Sequence, residues 1–166
     1  MSTTSKAYFT SLSILFYAMA AGQLIFAIVA FFVIGQGTMG PEDAELGQLF
    51  LIIAVGLVLM TQVASRFLVN KRLEDIRKLD FRSKMIQYRA LFILRIALLE
   101  GPALFCLLTY LVTGYLWLLV LGMGMLLLFL TYYPSINKVV NELELSPSER
   151  SQVENPEAII ADNLSK

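Results

Sequence analysis

The residues best suited to chemistry lie in the apolar stretch 97–105, where Glu100 is the only acidic residue inside any long hydrophobic segment of the chain. A carboxyl group inside a bilayer is costly, so an intramembrane glutamate is treated as functional by default. Pro102 follows two residues later and removes one backbone hydrogen bond of the same helix. Glu100 and Pro102 are therefore the first candidates for a polar site within a membrane.

Gln23 is the predicted partner of Glu100. Glu100 lies eleven residues beyond Arg89, which is about 16 Å at the rise of an α-helix and therefore near the bilayer midplane. Gln23 lies at nearly the same depth in an earlier apolar segment. The sequence predicts a hydrogen bond between these two side chains, worth about 0.6 to 2 kcal/mol. The pair would either hold two helices together or bind a proton or another cation.

The chain offers few residues for catalysis or for holding a cofactor. It contains no histidine and a single cysteine, Cys106. This composition excludes the usual ligand sets for zinc, iron–sulfur clusters and haem from this chain alone. We find no nucleophile with a base and no phosphate-binding loop, and the basic residues form no nucleic-acid footprint. The sequence predicts a protein that is not an enzyme and has no cofactor.

Composition predicts an all-α membrane protein. Of 166 residues, 57% are hydrophobic and 16% are charged, which is more apolar surface than a soluble core of this size can bury. A membrane-spanning helix needs about 20 residues. Four apolar segments meet this length, at residues 8–35, 46–67, 89–113 and 115–133.

The polar parts of the chain are also predicted to be helical. In residues 68–88, apolar side chains recur at helical spacing, so the second and third helices should extend as a cytoplasmic hairpin that turns near residues 80–83. We place a domain boundary at residue 134, with a four-helix domain at 1–134 and an amphipathic, flexible tail at 135–166. Within the tail, the run from Ser146 to Glu149 has the form of a capping box, and Asn155-Pro156 predicts a further helix start.

Basic residues give the orientation. Twelve of the thirteen lysines and arginines fall on one predicted side of the membrane, which places both termini and the central hairpin in the cytoplasm. The membrane would be a cell inner membrane or a plasma membrane. Anionic lipid headgroups are the expected partners of the basic side chains nearest the membrane. These candidate headgroup contacts are Arg66, Lys71, Arg72 and Arg95, the last by extending its long side chain toward the interface.

The first and third apolar segments form an internal repeat. Residues 8–35 align with residues 87–114 without gaps, and the repeat predicts two tandem helical hairpins with the same orientation, related by an axis along the membrane normal. Gly22 aligns with Gly101, and both are predicted to allow close approach of helices. The other identities are Leu12/Leu91, Ile14/Ile93, Leu15/Leu94, Ala18/Ala97, Phe26/Phe105, Val33/Val112 and Gly35/Gly114.

These features predict a membrane protein that works by packing rather than by catalysis. The chain would be an accessory or structural subunit, with other membrane subunits or further copies of itself as partners. The alternative is a proton- or cation-coupled transport component that uses the intramembrane carboxyl group of Glu100.

Overall fold

A computed structural model describes residues 2–37 and 43–162, and 84% of it is helical. The all-α membrane class predicted from composition is confirmed, with the addition of two short strands. In chain order, the described elements are β1 (Ser2–Thr4), α1 (Ser5–Gly35), α2 (Ala44–Arg77), α3 (Phe81–Thr113), α4 (Leu116–Leu130), α5 (Ile136–Leu143), α6 (Pro147–Glu154) and β2 (Ile159–Asp162).

Three of the helices are long and apolar enough to cross a membrane. Helices α1, α2 and α3 contain 31, 34 and 33 residues, or about 45 to 50 Å each at helical rise. This exceeds the roughly 30 Å of a bilayer's hydrocarbon core. Helix α4 is also apolar but has 15 residues, which is about 22 Å. It corresponds to the predicted fourth span at 115–133 and is shorter than that prediction.

The predicted helical extension between the second and third spans is confirmed. Helix α2 continues to Arg77, and α3 begins at Phe81, so the turn lies just before the predicted position. Asp80 starts α3 by accepting a hydrogen bond at Oδ2 from the Ser83 backbone amide, 3.2 Å away. Hydrogen bonds from Ser83, first through its side chain and then through its backbone, lower the pKa of the exposed Asp80 carboxyl group. Between α3 and α4, Gly114 makes the tight turn with a φ of 69°.

The chain divides into two compact units. Unit 1 comprises Met1–Phe16, Arg66–Arg95 and Tyr133–Lys166, and unit 2 comprises Tyr17–Ser65 and Ile96–Tyr132. The tail, which the sequence placed in a domain of its own, belongs to the same unit as the ends of the long helices. Every lysine and arginine of the sequence falls in unit 1, and none falls in unit 2.

In unit 1, the tail forms two capped helices. Helix α5 is capped by Ser135, whose side chain accepts from the Lys138 backbone amide, and it buries Val139, Val140 and Leu143. In α6, Ser146 and Glu149 cap each other's backbone amides. The capping box predicted from the sequence is therefore confirmed.

The end of the tail pairs with the N-terminus instead of forming a further helix. Strand β1 pairs antiparallel with β2, with Thr3 opposite Ala161. The Ser5 backbone amide extends this pairing by donating to the Ala158 carbonyl over 2.9 Å. The predicted helix start at Asn155-Pro156 is therefore wrong. Strand pairing satisfies backbone hydrogen bonds of both segments, and the Ile160 side chain is completely buried. A short isolated helix would be marginally stable and would leave this side chain in water.

Unit 2 has a core of mainly small and aromatic side chains. Its fully buried cluster is Ala30, Ala54, Cys106, Tyr110 and Leu118. Two buried threonines of α3 satisfy their hydroxyl groups within the helix: Thr109 donates to Phe105 O at 2.7 Å, and Thr113 donates to Thr109 O at 2.8 Å. Intrahelical bonds of this kind remove the cost of a hydroxyl group in an apolar environment.

Candidate functional site

Glu100 and Gln23 lie beside each other in unit 2. Glu100, on α3, is half-buried, and Gln23, on α1, is 1% exposed. The Glu100 carboxyl group lies close enough to the Gln23 side chain to interact with it. However, Nε2 and Oε1 of Gln23 are both buried, and neither has a partner within hydrogen-bond distance among the described residues. The structure thus brings the two predicted side chains together, while the full hydrogen bond between them stays a prediction.

The electrostatic surroundings of Glu100 are unusual for a carboxyl group. The sequence of unit 2 contains no lysine, arginine or histidine, so this unit supplies no counter-ion. Apart from Glu100, its acidic residues are Glu42, Asp43 and Glu45. Burying an unpaired charge in an apolar environment costs roughly several kcal/mol, even after the protein relaxes around it. An ionised Glu100 would therefore have no basic partner within its own unit.

Pro102 is buried within α3, and the helix continues through it to Thr113. The missing N–H of Pro102 leaves the carbonyl of Leu98 without its usual helical donor. Leu98 and Glu100 are two residues apart, or about 200° around the helix. The carbonyl group of Leu98 is therefore on the far side of α3 and does not complete the site at Glu100.

The predicted packing role of Gly22 and Gly101 is wrong within the chain. Both glycines are exposed, and no described atom lies within 4 Å of the position that a Cβ would take. Contact with another chain at these positions stays a prediction. The glycines that do allow close approach are Gly47, where a Cβ would overlap the Tyr115 side chain, and Gly122, where it would lie 3.0 Å from Leu107 Cδ2.

Arg95 belongs to a buried ion pair in unit 1. Its Nη1 donates to both carboxylate oxygens of Glu142, at 2.8 and 3.2 Å, and the Arg95 side chain is 10% exposed. Tyr88 Oη donates to Glu142 Oε2 at 2.9 Å. The prediction that Arg95 extends to lipid headgroups is therefore wrong, because a carboxylate of the tail lies within reach of its guanidinium group.

Arg77 closes the end of α5. Its Nε donates to the Glu142 carbonyl at 2.9 Å, and its Nη1 pairs with the Glu144 carboxylate at 2.8 Å. Glu144 ends the helix in the left-handed conformation, with a φ of 50°. Glycine usually occupies this position, and other residues adopt it at a cost of about 1 to 2 kcal/mol. The ion pair with Arg77 gives Glu144 a compensating interaction that glycine would not have.

Lys84 and Glu149 form a second contact between α3 and the tail. Their side chains are 11% and 18% exposed, and Nζ lies 3.0 Å from Oε1. Burial alone would raise the pKa of Glu149, but hydrogen bonds from Ser146 and from Lys84 outweigh it and lower the pKa. Burial lowers the pKa of Lys138, and the charge of the neighbouring Glu142 opposes that shift.

The remaining candidate headgroup contacts, Arg66, Lys71 and Arg72, are exposed on α2, and lipid binding there stays a prediction.

Sequence reasoning missed Glu142 and Glu149 as partners of buried bases. The available signal was the apolar periodicity of α5. This periodicity predicts that one face of the helix is buried, but it does not identify the surface that covers that face. Among residues 2–37 and 43–162, no group of three or more histidine, cysteine or acidic side chains is placed to hold a metal ion.

The chain matches no protein-family model, no curated protein and no solved structure. Its function is therefore inferred from its own residues.

Proposed function

We propose that this chain is a non-enzymatic membrane protein that works by packing in an assembly, as an accessory subunit or as a homo-oligomer. The observation that carries this proposal is the exposure of α2. In its apolar stretch, 11% of the residues are buried within the chain, against 50% for α3. Association between membrane helices depends on close packing and on polar contacts. Helix α2 leaves most of its circumference open to other helices.

The proposed topology has four crossings, arranged as two tandem hairpins with the same orientation. The burial pattern supports the repeat, because aligned positions of α1 and α3 share their exposure. Leu12 and Leu91 are both 1% exposed, whereas Ile14 is 64% and Ile93 is 41% exposed. Helix α3 differs by burying a second face that includes Ile96, Ala103 and Leu107.

We place the four apolar segments in an inner or plasma membrane, with both termini and the hairpin between α2 and α3 on the cytoplasmic side. The location of every lysine and arginine in unit 1 supports this orientation. A reporter that is active only in the cytoplasm should work when fused after Lys166 or inserted near Arg82, and it should fail when inserted at Gly40. Equal activity at all three positions would contradict the proposed orientation.

Crosslinking through α2 tests the assembly. In a Cys106→Ala background, Ile52→Cys places a thiol at a position that is 71% exposed, whereas Ala54→Cys places one on the same helix at a position that is 0% exposed. A thiol crosslinker applied to native membranes should link the protein to a partner or a second copy through position 52 and not through position 54. Mass spectrometry of the product identifies the partner.

Failure to crosslink at position 52, together with a monomeric mass in mild detergent, would contradict the assembly proposal. A monomer that conducts protons or cations would instead favour the transport alternative. The observation that supports this alternative is the proximity of Gln23 and Glu100.

A further inference from the structure

The Gln23 amide is the one side chain in the described part of unit 2 whose nitrogen and oxygen are both buried and unpartnered. An amide that lacks partners in an apolar environment costs on the order of several kcal/mol. The carboxyl group of Glu100 lies close enough to this amide to interact with it. A small adjustment within the same pair of helices would therefore satisfy both side chains.

An amide and a carboxyl group match in two different ways. When Glu100 carries a proton, its O–H can donate to Gln23 Oε1 while Nε2 donates to the other carboxyl oxygen, so every polar atom is used. When Glu100 is ionised, it has no donor, and only the contact from Nε2 remains. Loss of the proton therefore leaves Oε1 of Gln23 without a donor.

We propose that Glu100 binds and releases one proton and that Gln23 is the side chain that responds to the change. On binding, one O–H bond forms between a carboxylate oxygen and a proton delivered by water. On release, that bond breaks and the proton returns to water, with no other covalent change. The pair is thus a reversible proton site, and this property goes beyond the proposed role in an assembly.

The chemistry of the surroundings favours a proton over a metal ion. Unit 2 has no basic side chain to neutralise the carboxylate. Its other titratable side chains in the described residues are Asp43, Glu45, Cys106 and four tyrosines. Gln23 is the side chain that lies close enough to interact with Glu100. One carboxylate and one amide oxygen are fewer ligands than the six to eight oxygens that a hard metal ion such as calcium takes. A proton needs a single acceptor.

A carbodiimide tests the proposal, because it modifies protonated carboxyl groups in apolar surroundings. The purified full-length protein in detergent is treated with dicyclohexylcarbodiimide from pH 5 to pH 10, and labelling of Glu100 is measured by mass spectrometry. We expect a single transition, with labelling falling about tenfold for each pH unit above its midpoint, as for one titrating group. Glu100→Gln should remain unlabelled.

Gln23→Leu tests the role of the amide, and Gln62→Leu is its matched control, since Gln62 also has a buried, unpartnered Nε2. The first variant should move the midpoint by at least one pH unit, and the second should leave it unchanged. Gln23→Asn, which keeps an amide, covers the case in which Gln23→Leu does not fold.

Three results would overturn the proposal. They are labelling that does not depend on pH between 5 and 10, equal midpoints in the Gln23 and Gln62 variants, and loss of labelling on addition of Na⁺ at constant pH. The last result would assign the site to a metal ion. Crosslinking through α2 is measured separately, so the failure of either proposal can be recognised independently of the other.

Discussion

Replacing Glu142 by glutamine should release the tail from its contact with α3. The substitution keeps the size of the side chain, and its amide oxygen can still accept from Tyr88 Oη, which lies 2.9 Å from the native carboxylate. It removes the negative charge opposite Arg95, whose Nη1 lies 2.8 Å from Oε1 in a side chain that is 10% exposed. A buried guanidinium group would then have lost its counter-ion.

The expected cost follows from the burial of the two partners. Breaking a fully buried ion pair costs about 3 to 5 kcal/mol, whereas an exposed pair contributes about 0 to 1 kcal/mol. Because Glu142 is 21% exposed, water can reach part of the site, and we expect roughly 2 to 3 kcal/mol. Since 1.36 kcal/mol corresponds to a factor of ten, opening of α5 should become about 30 to 160 times more frequent.

Amide hydrogen exchange measures this opening directly. The amides of α5, which buries Val139 and Leu143 completely, should exchange faster by that factor, while those of α4 in unit 2 should not change. Adding Arg95→Met to Glu142→Gln should restore part of the protection, because it removes the buried positive charge that the Glu142 carboxylate had balanced. A change of less than threefold in α5 would refute the reasoning, since it would mean that the pair does not hold the tail.

Two further predictions concern local contacts. Gly47→Ala should destabilise the protein by about 1 to 3 kcal/mol, because its Cβ would overlap Tyr115, whereas Gly56→Ala, where nothing lies within 4 Å among the described residues, should be neutral or stabilising. Unfolding of both variants in denaturing detergent measures the difference, and equal stabilities would contradict it. The pKa of Glu149 is lowered in the folded protein. The ionised carboxylate therefore stabilises the fold fully above the pKa of the unfolded state, which is near 4.3, and this stabilisation is lost as the pH falls through the lower pKa of the folded state. Exchange of α6 amides, corrected for intrinsic rates, should accelerate below about pH 4, and Glu149→Gln should abolish that dependence. The same pH profile in the Glu149→Gln variant would mean that the contacts of Glu149 with Ser146 and Lys84 do not stabilise the fold.

The long helices could be predicted because hydrophobic length is a property of a single segment. A run of apolar residues has few alternatives to a helix in a membrane, since every backbone group must be satisfied internally. The same reasoning found the extension of α2 and α3 through residues 68–88, where the apolar spacing continues beyond the membrane span. The capping box from Ser146 to Glu149 was also local, so four residues were enough to predict it.

Contacts between distant segments could not be predicted in the same way. The strand pairing of Thr3 with Ala161 joins the two ends of the chain, and neither short segment has a pattern that identifies the other. Gly22 and Gly101 align in the repeat, but alignment gives no information on which face of a helix meets a neighbour. Gly47 and Gly122 allow close approach because of Tyr115 and Leu107, which only the assembled unit reveals.

The basic residues of unit 1 show why a charge count gives orientation but not role. The positive-inside rule treats every lysine and arginine on one side alike. In the structure, Arg66, Lys71 and Arg72 are exposed, whereas Lys84 and Arg95 are buried and paired with Glu149 and Glu142. The difference arises from the tail, because its carboxylates neutralise the two bases that would otherwise be buried alone. Lys84 and Arg95 of α3 thus pair with the tail, whereas Arg66, Lys71 and Arg72 of α2 stay exposed, and attraction of these exposed bases to a membrane surface stays a prediction.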